Sequence, residues 1–177
     1  MFEAAGGSTT PPQKEDAKKG DTITNGDFVI VTTEDIPLDP LGDGRNENTI
    51  WTFDFATTDP NWSRFRDGVD ERGLRSALLT LSLIPMDEFI STDTLKVGDL
   101  HAIGATKEAG GQSPFVFPPF QKLPLFTPSI VEIELLGFYT PEEVLGAVRG
   151  AAPPAGQMQV RFQDDAIVVF AHLKLTP

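Results

Sequence analysis

The chain has 177 residues, enough for one domain with its own hydrophobic core, and it contains no cysteine, which excludes disulfides and thiolate chemistry. Its formal net charge of −12 argues against nucleic acid or an anionic membrane as a partner, because both call for basic patches. The 15 prolines and 16 glycines imply many turns and favour an all-β architecture over a helical one.

Residues 1–20 (MFEAAGGSTTPPQKEDAKKG) hold small, polar and charged side chains with little to bury. They read as a disordered arm, and residues 1–24 are set apart from a single domain over 25–177. Met1–Ala5 lacks the basic start and apolar centre of a signal peptide. No apolar run approaches the ~20 residues needed to span a bilayer, so no membrane insertion is expected.

Asn25-Gly26 is a turn signal ahead of Phe28–Val31, a short β-branched strand. The loop from Asp35 to Asn48 is dense in turn formers and oxygen side chains. Asp39, Asp43, Asn46 and Asn48 offer oxygen ligands around a glycine turn, which makes calcium the cation to consider; no other cofactor is expected. Their spacing departs from the EF-hand pattern, and a loop without metal uses the same residues.

Trp51, Phe53 and Phe55 alternate with Thr52 and Asp54, a half-buried strand. In the charged stretch 59–73, Trp62 and Phe65 beside Arg64 and Arg66 offer flat rings for stacking on a sugar, against a default of core packing. Leu74–Ile84 is a strong strand, with Ala77, Leu79, Leu81 and Leu83 on one face and Ser76, Thr80 and Ser82 on the other. Asp93–Val97 and Leu100–Ile103 form a hairpin through Gly98-Asp99.

Residues 113–128 (SPFVFPPFQKLPLFTP) pack five prolines and four phenylalanines into sixteen positions. Proline cannot donate to a ladder, so this is an extended edge segment. Phe115, Phe117 and Phe120, with Phe126, are the candidate contacts for a protein partner or for self-association. Ile130–Leu136 is a further strand. Thr140-Pro141-Glu142-Glu143 is a capping box with proline at the first helical position, opening the one short helix. Gly156–Leu175 closes the chain as two alternating strands joined by Gln163-Asp164-Asp165, read as a hairpin with Ile167, Val169, Ala171, Leu173 and Leu175 on one face.

Chemistry-bearing residues are sparse. His101 and His172 lie far apart on separate strands without a nucleophile partner, and the adjacent carboxylates Asp87-Glu88, Glu142-Glu143 and Asp164-Asp165 diverge on strands or serve turns and caps. No catalytic residue is assigned, and the chain is read as a non-enzyme.

Several elements in order resemble bacterial extracytoplasmic β-sandwich modules of surface-anchored and exported proteins. They are the aromatic-polar strand Trp51–Phe55, the Ser76–Leu83 strand, the Asp93–Gly98 hairpin, the Glu142–Val148 helical turn and the closing pattern Gly156–Leu175. The resemblance implies a jelly-roll sandwich and an extracellular or cell-surface setting, and brings no catalytic residue. The expectation is thus an antiparallel β-sandwich of jelly-roll type, about eight strands, acting as a structural or surface module through protein contact or self-assembly. A carbohydrate-binding module, calcium-stabilised, and a virion or filament subunit are the alternatives.

Overall fold

A computed structural model describes residues 1–7, 18–35, 41–44, 46–58, 60–62, 73–86, 93–104, 123–149, 156–163 and 166–177. Among these residues ten strands are defined: β1 (Phe2–Gly7), β2 (Thr22–Asn25), β3 (Phe28–Thr32), β4 (Glu47–Asp54), β5 (Ser76–Pro85), β6 (Thr94–Val97), β7 (Ile103–Gly104), β8 (Ser129–Glu134), β9 (Gln157–Gln163) and β10 (Ala166–Thr176). A single helical turn, α1 (Phe55–Thr58), follows β4; a 3-10 turn (Leu135–Gly137) and helix α2 (Pro141–Arg149) follow β8.

The strands make two antiparallel sheets, ordered β1-β10-β5-β8 and β2-β3-β4-β9-β6-β7. Their apolar faces meet. Leu79, Leu81 and Leu83 of β5 and Leu173 and Leu175 of β10 face Trp51 and Phe53 of β4 and Val160 and Phe162 of β9, all at 2% exposure or less. Alternation along β5 is complete, with every second residue from Ala77 to Pro85 buried. Strict period-two burial on both sheets is what a sandwich requires.

Helix α2 forms as its sequence dictates. Glu143 N–H donates to Thr140 Oγ1 (3.3 Å), while the Glu143 carboxylate accepts from Thr140 N–H (2.8 Å), a reciprocal capping box. Val144 and Val148 then enter the core.

Three expectations are corrected. Of residues 1–24, expected as an arm, 2–7 lie in β1 and 22–24 in β2. β1 pairs with β10 from Phe2↔Leu175 to Gly7↔Phe170, because Phe2 and Ala4 alternate with Glu3 and bury at 7% and 4% exposure. The closing segment is not a hairpin either. β9 lies between β4 and β6, whereas β10 lies between β1 and β5, so the chain crosses from one sheet to the other. Each strand has one apolar face, and strands of opposite sheets cover those faces with one another.

The third correction concerns parity on β10. Its register shifts between Val168 and Phe170. Ala166 and Val168 point inward before the bulge, and Ala171, Leu173 and Leu175 after it, leaving Ile167 and Val169 half-buried. One extra residue flips the face.

Candidate functional site

The bulge on β10 makes the most distinctive surface among the described residues. Without it Phe170 would continue the inward parity of Ala166 and Val168; with it the ring turns outward and is 40% exposed. Phe170 sits opposite Ser82 of β5, which sits opposite Ile130 of β8. Ile130 is 65% exposed, on the same face as Glu132 and Glu134. Ile84 and Ile167, themselves opposite each other and half-buried, continue the apolar surface toward the end of β5.

Phe126 is tied by its backbone to the same end of β5. Its N–H donates to the carbonyl of Pro85, the last residue of β5, at 2.9 Å. Its ring is 64% exposed and its backbone is left-handed, with φ at 56°. A bulky residue at positive φ costs about 1–3 kcal/mol, and one ordinary hydrogen bond returns about 1 kcal/mol. The fold thus holds a large ring in water at a backbone expense that glycine would avoid. Beside Phe170, His172 stacks at 6.4 Å between ring centres, and its Nε2 lies 3.6 Å from Glu3 of β1.

A second concavity, of about 350 Å³, opens beside β4 and is lined by Ala5, Asp27, Val29, Ile50, Thr52 and Gln159, among others. Its polar groups are mostly engaged with one another. Asp27 accepts from Gly7 N–H (3.0 Å), and its own N–H donates to the Gly7 carbonyl (2.9 Å). Asp54 accepts from Thr57 N–H and from Gln157 Nε2. Burial pushes the Asp54 carboxyl up, but those bonds outweigh it and hold the group below its ordinary value. Thr58 Oγ1 reaches the carbonyls of Asp54 and Glu3. This is a seam that seals the outer edge of β1.

The anticipated sites come out differently. Trp62 is 4% exposed and stacks on Phe55, with centroids 5.7 Å apart and planes at 25°. A Cβ on Gly156, whose φ is 102°, would collide with its indole. A ring so enclosed has no face for a sugar, so the stacking role is withdrawn; Phe65 lies outside the described residues.

Of the proposed cation ligands, Asp39 lies outside the described residues. Asn46 adopts φ of 49° and its carbonyl receives both the N–H and the hydroxyl of Thr33, while Asn48 lies within β4 opposite Val31 and Gln163. Asp43 sits in the turn 41–44, which is organised by a residue the sequence reading passed over. Glu47 is 4% exposed, and its carboxylate accepts from the N–H groups of Gly42 and Gly44. Among the described residues no group of three or more His, Asp or Glu gathers into a cation-sized cluster.

Phe115, Phe117 and Phe120 also lie outside the described residues. His101 packs against Tyr139, whose hydroxyl donates to the His101 carbonyl at 2.7 Å; burial, then the charge of Glu143, pushes the Tyr139 hydroxyl up. That arrangement is structural. Of the exposed corner the sequence singled out Phe126 alone, because its members are scattered over 45 positions. A second local hint is parity: Ile130 falls on the Glu132–Glu134 face, where water is expected.

Comparison with known protein families, curated proteins and solved structures returned no match.

Proposed function

We propose that this chain is a non-catalytic β-sandwich module of jelly-roll type that works by holding a protein partner against the corner formed by Phe126, Ile130 and Phe170. The strand order supports the fold reading. Setting the β2–β3 hairpin aside, the remaining eight strands, counted along the chain, run 1-8-3-6 in one sheet and 2-7-4-5 in the other. That is the order produced when an antiparallel ribbon folds over itself as two Greek keys. The extracytoplasmic setting rests on the resemblance of Trp51–Leu175 to exported modules.

The observation that carries the contact reading is the pair of large exposed apolar side chains Ile130 and Phe170 on one sheet face, flanking Ser82, with Phe126 exposed in the segment bonded to the end of β5. Burying such a side chain contributes about 1.5–3 kcal/mol, whereas a surface ion pair contributes about 0–1 kcal/mol. The corner therefore supplies affinity, and the carboxylates of Glu132 and Glu134 supply selectivity. A second copy is the poorer occupant, since each chain carries −12 and brings the same acidic rim. The fitting partner is an apolar protein surface bordered by lysine or arginine.

Site-specific photo-cross-linking in the producing cells tests this, with the probe at position 130 or 170 and a control at Gln159. The reading expects one cross-linked protein from the first two positions, which then binds the purified chain at least tenfold more weakly after Ile130→Ser and Phe170→Ser. Equal cross-linking from position 159, or cross-linking to a second copy alone, overturns it.

A further inference from the structure

We infer that the partner delivers an extended strand that adds to the outer edge of β8, with an apolar residue opposite Ile130 and a lysine or arginine opposite Glu132. This rests on the protein-contact reading and names its mode. Strand order puts β8 at one end of the four-stranded sheet, and among the described residues it pairs only with β5. Alternate residues of an edge strand turn N–H and C=O outward, a template for another strand.

The other edges are treated differently. β1, at the opposite end of the same sheet, is sealed: Asp27 takes both the N–H and the carbonyl of Gly7, and Thr58 reaches the carbonyl of Glu3. In the larger sheet the edges are short, four residues in β2 and two in β7. β8 has six residues, Ser129–Glu134, with no proline and no lysine to blunt it. Among the described residues its protection is carboxylate alone, and that is a charge a basic strand satisfies.

Residue pairing selects the occupant. Ile130, Glu132 and Glu134 share the outer face, so an added strand meets them with side chains two positions apart. The Glu134 carboxylate already accepts from Ser76 Oγ (2.6 Å) and Ala77 N–H (2.7 Å), which leaves Glu132 as the principal unspent charge. Charge disfavours a second copy in the registers that use Glu132: two-fold pairing centred on Glu132 sets carboxylate against carboxylate, and centred on Val131 it sets each Glu132 against Ile130.

The test titrates the full chain with a synthetic peptide of threonines interrupted by one isoleucine and, two positions away, one lysine, read by amide resonances. The expected result is perturbation concentrated at 129–134. Backbone N-methylation of the peptide abolishes it, and glutamate in place of lysine weakens it at least tenfold. Glu132→Lys then reverses the preference between the two peptides. Absence of binding, perturbation centred elsewhere, or equal binding by the N-methylated peptide overturns strand addition. If the cross-linked partner still depends on Ile130 and Phe170 when the peptide fails, only the strand mode falls and the contact reading stands.

Discussion

The two outer faces of the sandwich are built from the same alternation and end up chemically unlike. On the six-stranded sheet the outward positions are Thr52, Gln157, Gln159, Arg161, Gln163, Thr94 and Lys96, joined by bonds such as Gln157 to Asp54, with Val29 and Ile50 set beside Arg161. That is a solvated face. On the four-stranded sheet Ile84, Ile130, Ile167 and Phe170 gather toward one end of the outer face, while Glu3, Lys174, Glu132 and Glu134 lie toward the other, around Leu78. Folding needs only one apolar face per sheet, and on the proposed reading the apolar side chains outside the smaller sheet meet a partner.

The largest effect that sharpens this contrast is on the sheet carrying the apolar face. Phe2→Ala should cost about 3 kcal/mol in chemical denaturation, because β1 is a sheet member whose ring is buried. An unchanged midpoint would return residues 1–7 to the status of an arm.

Next comes acid. Glu143 is held below its ordinary value by the N–H and hydroxyl of Thr140, against a smaller effect of desolvation, and Asp54 is lowered too. A carboxylate whose folded pKa is depressed stabilises fully above its unfolded value and loses that contribution as pH falls through the folded one. The melting temperature should therefore decline below about pH 4, and Glu143→Gln should flatten the decline. Neither group lies on the apolar face, so binding of a nonpolar dye there should hold constant until the fold itself melts.

Phe126→Gly separates structure from use. Glycine adopts positive φ freely, and the ring is exposed, so stability should rise by up to about 1 kcal/mol while partner binding weakens. A clear loss of stability would mean that the ring packs where it is now seen to face water. The smallest effect is on the polar face. Thr52→Ala and Gln159→Ala should each stay within about 0.5 kcal/mol of the parent.

Much of this architecture could be read locally. β5 announces itself through Ala77, Leu79, Leu81 and Leu83, and α2 through Thr140 and Glu143, because periodicity and caps are properties of short windows. Long-range pairing could not be read. Phe2 and Ala4 are too brief a pattern to betray a strand whose partner is Leu173–Leu175 at the far end of the chain. Alternation in β9 and β10 says which side is apolar, not which sheet each strand joins. Trp62 sits among charges in sequence yet is enclosed by Phe55 and Gly156, a contact between distant segments. The corner itself depends on a one-residue bulge, and VVF does not reveal which valine is extra.

The most direct measurement compares two double variants against the cross-linked partner by titration calorimetry. Ile130→Ser with Phe170→Ser should weaken binding at least tenfold, and Thr52→Ala with Gln159→Ala should change it less than twofold. Equal losses from the two faces, or the larger loss from the polar one, would contradict the account.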